Sequence, residues 1–129
     1  MITGRVRENG DPVIRVKVYG NANGIIHEVE AVIDTGFTEF LSLPNDLIDL
    51  LSLPVIGPTT VEMADGGSVE VFVYSGEIEW NGKRITIDVQ SDAVEPLVGM
   101  GLLWGHTFTV RGETDGLVTV KAFDEEMMA

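Results

Sequence analysis

Ala31-Val32-Ile33-Asp34-Thr35-Gly36 is the stretch on which the fold of this chain turns. Its apolar residues, two of them β-branched, read as a buried strand that runs directly into a polar turn. Such a turn lifts the Asp34 carboxylate off the end of a sheet, and Gly36 lets a backbone N–H come close to it, which a larger residue permits less easily. Downstream, Phe40-Leu41-Ser42-Leu43 reads as a second strand, and Pro44 opens a short helix over Asp46 to Leu51 that stops before Pro54. The theme recurs at Pro96-Leu97-Val98-Gly99-Met100-Gly101-Leu102-Leu103, where two apolar residues and a glycine run into an apolar helical turn. Only the first copy places an aspartate before its glycine, so Asp34 is the candidate working residue.

Outward from these segments the chain reads as mostly strand. Val13 to Tyr19 alternates Ile14, Val16 and Val18 against Arg15 and Lys17, the period of a half-buried strand. Asn21-Ala22-Asn23-Gly24 is a turn, and Ile25 to Ile33 is the strand that delivers Asp34. From Thr59 to Gln90 the pattern becomes two hairpins, one tipped by Asp65-Gly66-Gly67 and one by Asn81-Gly82. A last hairpin pairs Thr107 to Val110 with Leu117 to Phe123, and the acidic tail 124–129 is expected to fray. With no linker and no low-complexity tract, residues 1–129 read as one all-β domain with one or two short helices. The half-repeat around Gly36 and Gly99 fits a pseudo-symmetric, closed β-barrel-like domain.

Composition narrows the function. A net charge of -13 argues against nucleic-acid binding, which needs clustered Lys and Arg. The lack of cysteine excludes a thiol nucleophile, two histidines as the only nitrogen ligands argue against a zinc hydrolase, and no metal or cofactor is expected. No run is long and apolar enough to cross a bilayer, and Met1 to Val6 has no signal-peptide core, so a soluble, cytoplasmic protein with no membrane partner is expected. His27 and His106 read as strand and loop residues, and Trp80 and Trp104 as core or interface aromatics.

Together, Asp34-Thr35-Gly36 and Leu97-Val98-Gly99 resemble the retroviral-type, retropepsin-like aspartic proteases, here as a non-viral stand-alone member. The resemblance implies a single-lobe acid-protease fold that forms dimers, with Asp34 catalytic. Thr35 would point across a dimer axis, Gly36 would present its N–H to a carboxylate, and the Thr38 hydroxyl would brace the loop. Leu97, Val98 and Gly99 would pack beside Asp34, and Asp65-Gly66-Gly67 would be the tip of a flap that closes over bound peptide. Hydrolysis of this type needs two carboxylates sharing one proton, so one polarises a water while the other donates to the scissile carbonyl. One chain supplies one such aspartate, because Asp88, Asp92 and Asp115 do not sit in an apolar-strand-to-glycine corner. A homodimer with one Asp34 from each copy follows, acting on polypeptide substrates.

The chain also departs from the family pattern. Phe37 stands where relatives carry a small residue next to substrate, which implies either a narrower cleft or a loop turned differently. Thr38 and Met100 are neutral where the family often pairs a carboxylate with an arginine, a matched loss that leaves no unpaired charge. Gly101 replaces a polar residue and weakens the start of the following helix. The alternative reading is a non-catalytic dimeric module that captures extended peptides by strand addition, which Phe37 filling the cleft would favour. A third is a monomeric acidic β-domain in which Asp34 is structural.

Overall fold

The computed structural model describes residues 1–21 and 24–128. It opens with β1 (Ile2–Val6), a strand the sequence reading did not anticipate. Gly4 interrupts its side-chain pattern for a steric reason: a Cβ there would lie 1.8 Å from the carbonyl oxygen of Val13, so the two backbones come together only without one. That neighbour belongs to β2 (Pro12–Tyr19), which turns Ile14, Val16 and Val18 into the core and Arg15 and Lys17 to solvent. β2 pairs antiparallel along its length with β3 (Ile26–Ile33), from Val13 opposite Val32 to Tyr19 opposite Ile26. Within the expected turn between them, Ala22 and Asn23 lie outside the described residues, and Gly24 has φ 63°.

β3 ends at the Asp34 turn, followed by β4 (Leu41–Ser42) and α1 (Asn45–Leu51). Pro44, extended, precedes the first helical residue, and Ser52 ends the helix in a left-handed conformation at φ 51° with its N–H on the Asp49 carbonyl. The helix buries Ile48 and Leu51. Next comes a meander, β5 (Val55–Glu62), β6 (Ser68–Trp80) and β7 (Lys83–Gln90), so the two expected hairpins share one long strand, β6. Asn81 and Gly82, at φ 53° and 75°, make the two-residue turn whose twist suits a hairpin. The chain closes with β8 (Leu97–Val98), α2 (Met100–Leu103), β9 (His106–Val110) and β10 (Leu117–Ala122).

The barrel is built from six of these strands, in the order β2, β3, β8, β4, β7 and β6, and closes where Val18 and Tyr19 pair with Ile78 and Glu77. Arg84 reinforces that short seam from β7, stacking its guanidinium 4.0 Å over the Tyr19 ring while bonding Glu77. Inside lie Leu41, Leu43, Ile78, Val89 and Val98, each fully enclosed. At about 1.5–3 kcal/mol for each aliphatic side chain taken from water, this core is the main stabilising term. β1, β10 and β9 extend the sheet beyond β2, and Val118 and Val120 of β10 join the same core. No described helix is long and apolar enough to cross a membrane.

Over its described residues the acidic tail is helical: Phe123–Met128 forms α3, whose Phe123 N–H bonds the Gly105 carbonyl and whose Glu125 bonds the Ala122 N–H and the N-terminal ammonium. A carboxylate within reach of backbone and terminal donors gives the segment partners that its charge pattern alone did not reveal.

Candidate active site

The Asp34 loop is held by the Gly99 loop almost entirely through backbone. Val32 and Ile33 pair in parallel with Leu97 and Val98, while Leu41 and Ser42 return antiparallel along the other edge of the same two residues. β8 therefore lies between the strand that enters the Asp34 loop and the strand that leaves it. Four bonds complete the lacing: Asp34 N–H to the Val98 carbonyl at 2.9 Å, Gly99 N–H to Phe40 at 3.0 Å, Gly101 N–H to Glu39 at 3.0 Å, and Met100 N–H to Phe37 at 2.7 Å. Such density of backbone pairing leaves the loop little freedom to move its carboxylate.

Asp34 as a residue is half-buried, and its Oδ1 accepts the Gly36 N–H at 2.9 Å. A Cβ on Gly36 would stand 3.3 Å from that oxygen, tight enough to disturb the bond. Thr35, Gly36 and Thr38 are exposed, and among the described residues neither threonine hydroxyl makes a hydrogen bond within the chain. The loop is braced by the Phe37 N–H on the Asp34 carbonyl, 3.1 Å, rather than by the Thr38 side chain.

Gly99 is the tightest point of the assembly. A Cβ there would lie 2.2 Å from the Glu39 carbonyl oxygen and 2.6 Å from both the Phe37 carbonyl oxygen and its ring. The Phe37 ring is thus laid on the Gly99 backbone, and the residue is half-buried there. Gly101, read as a weak helix start, has its own steric reason, since a Cβ would meet the Glu39 carbonyl at 3.0 Å and the Phe40 ring at 3.1 Å. Leu97 is half-buried and Val98 fully buried.

Asp65, Gly66 and Gly67 sit at the exposed tip of the β5–β6 hairpin. Gly66 has φ 87°, and Asp65 Oδ1 accepts the Gly67 N–H at 2.9 Å, so the tip is shaped locally by a carboxylate-capped turn. At the root of this hairpin, buried Ser91 makes a two-way clamp on Phe72: its N–H donates to the Phe72 carbonyl and its Oγ accepts the Phe72 N–H, both at 3.0 Å. Of the other aspartates, Asp92 exchanges hydrogen bonds with Asn45, Asp115 faces Arg5, and Asp88 projects from β7 opposite Ser75. The His106 ring is engaged structurally, with Nε2 3.2 Å from Trp80 Nε1 and 2.9 Å from Asn81 Nδ2, and Nδ1 2.8 Å from the Trp104 carbonyl oxygen. Trp80 is buried as expected of a core aromatic, whereas Trp104 is 79% exposed.

No protein-family model matches the sequence, and no curated protein matches it. Among solved structures, the EIAV protease complexed with the inhibitor HBY-793 shares 21% identity and superposes with a TM-score of 0.57, over 72% of this chain and 85% of that one. The fold is that of the retropepsins. A retropepsin-like aspartic protease from Rickettsia conorii extends the likeness, at 17% identity and a TM-score of 0.56 over 93% of this chain and 88% of the other. The retropepsin fold thus accounts for nearly the whole chain.

Proposed function

We propose that this protein is an aspartic endopeptidase that works as a homodimer. The observation that carries the reading is the Asp34 loop itself: one exposed-side carboxylate per chain, fixed by its own Gly36 N–H and by backbone bonds to the Gly99 loop. Both solved structures named above are of proteases, which supports hydrolysis as the chemistry of this site. Polypeptide is the substrate class, and water is the nucleophile.

In this reading, two copies meet so that the Asp34 carboxylates share one proton. The ionised one draws a proton from a water held between them as that water attacks the scissile carbonyl. The protonated one donates to the carbonyl oxygen, and the proton then returns to the departing amine. Thr35 is exposed, and its hydroxyl, which makes no hydrogen bond among the described residues, would bond across the axis. The Asp65-Gly66-Gly67 tip closes over the peptide, with the β5 edge offering backbone groups to an extended chain.

The Phe37 ring packs against the Gly99 backbone, so Phe37→Ala tests whether the ring limits access to Asp34. Cleavage of denatured casein by the parent but not by Asp34→Asn, with inhibition by a statine-type compound, is the expected result. Equal cleavage by Asp34→Asn refutes the assignment. A dimer that binds casein peptides without cutting them moves the protein to the binding module.

A further inference from the structure

We propose that Arg7 is a positioning residue for the Asp34 loop, holding together two carboxylates, Glu30 and Glu95, that flank the upstream end of the β3–β8 ladder. This rests on the protease reading only where activity is the readout.

The register shows why a clamp is needed there. β3 and β8 pair in parallel at Val32 opposite Leu97 and Ile33 opposite Val98, and at no other residues. Carried one residue downstream, the same register sets Asp34 opposite Gly99. Carried upstream, it sets Glu30 opposite Glu95. A ladder this short therefore runs from two like charges at its entry to the candidate active loop at its exit, and like charges on paired strands push them apart.

Arg7 meets both carboxylates. Its Nη1 donates to Glu95 Oε1 at 2.6 Å and its Nε donates to Glu30 Oε1 at 3.3 Å. The backbone aims it: Arg7 N–H bonds the Asp11 carbonyl, and the Gly10 N–H returns to the Arg7 carbonyl, so the β1–β2 turn fixes the root of the side chain. The side chain is only 25% exposed, which spares the pair the full screening of water. Hydrogen bonding to Glu95, and then to Glu30, holds the guanidinium above its ordinary range against the opposing effect of burial. Arg5 also approaches Glu30, but at 3.7 Å, from a more exposed side chain that is shared with Asp115. On the far side of the same connection, Asn45 grips Asp92, so the segment entering β8 is held at both ends.

The test compares Arg7→Gln, Arg7→Lys and the double variant Arg7→Gln/Glu95→Gln by amide hydrogen exchange and by peptide hydrolysis. In Arg7→Gln, exchange at the Asp34 and Met100 amides is expected to quicken about tenfold, as a locally loosened ladder opens more often. Its kcat is expected to fall about ten- to a hundredfold with KM little changed, because the loop is displaced and not the peptide-binding surface. Neutralising Glu95 as well removes the repulsion and should return both readouts most of the way, while Arg7→Lys retains part. Unchanged exchange in Arg7→Gln, or quickened exchange that Glu95→Gln does not reverse, overturns the proposal. Should Arg7→Gln fail to fold, the double variant is expected to fold, and its failure would equally overturn it. If the parent cleaves no peptide, the protease reading falls, yet the exchange data still decide the role of Arg7.

Discussion

Replacing Gly99 with alanine is the most searching single-atom perturbation of the site. The added Cβ would stand 2.2 Å from the Glu39 carbonyl oxygen and 2.6 Å from that of Phe37. An ordinary carbon-to-oxygen contact is about 3.3 Å, so the two loops must part by roughly 1 Å. Both neighbours are backbone atoms and cannot swing away as a side-chain tip can. The movement strains the bonds from Gly99 to Phe40, from Met100 to Phe37 and from Gly101 to Glu39. Overpacking at about 1–3 kcal/mol, with a weakened backbone bond or two at about 0.5–1.5 kcal/mol each, gives a loss of about 1.5–6 kcal/mol. Gly112→Ala is the control, since nothing lies within 4 Å of a Cβ there and its φ is not positive. It should remain within about 0.5 kcal/mol of the parent. Urea unfolding of the parent and both variants, at equal m-value, reads the difference. A Gly99→Ala protein as stable as Gly112→Ala refutes the claim that the two loops are locked by close backbone approach.

Two further outcomes follow from the same geometry. Ser91→Ala removes the acceptor of the Phe72 N–H at the root of the β5–β6 hairpin and should cost about 1–3 kcal/mol, read by urea unfolding, with faster amide exchange at Phe72; unchanged exchange there would contradict it. Glu125 is held below its ordinary 4.5, chiefly by its bond to the N-terminal ammonium and despite an opposing desolvation effect. A depressed carboxylate contributes stability that is full above the unfolded value and is lost as pH falls through the folded one. The α3 anchorage should therefore persist at neutral pH and loosen below about 4.5, a transition absent in Glu125→Gln by exchange at the Ala122 amide.

Local signals made most of the barrel legible in the sequence, and non-local contacts account for what was not. Alternation in β2, the Asn81-Gly82 turn and the two strand-to-glycine corners are each decided by residues close in the chain. β1 was hidden because Gly4 answers to Val13 and not to its own neighbours. The α3 helix was hidden because Glu125 answers to the first residue of the chain. Gly101 looked like a poor helix start until the Glu39 carbonyl stood against it, and the contact of the Phe37 ring with Gly99 joins residues far apart in the chain. At the site, the sequence identified the Asp34 and Gly99 segments but not Arg7. Its partners lie in β3 and ahead of β8, although Glu30 and Glu95 precede Asp34 and Gly99 by the same spacing.

The central claim is that each active site takes one Asp34 from each of two chains. Mixing the parent with Asp34→Asn in increasing proportion, at constant total protein and after subunit exchange, tests it directly by peptide hydrolysis. Random pairing leaves the square of the parent fraction as active dimers, so an equal mixture should retain about one quarter of the activity. Activity that falls in simple proportion, to about one half at an equal mixture, would mean that a single chain carries a complete site and would contradict the account.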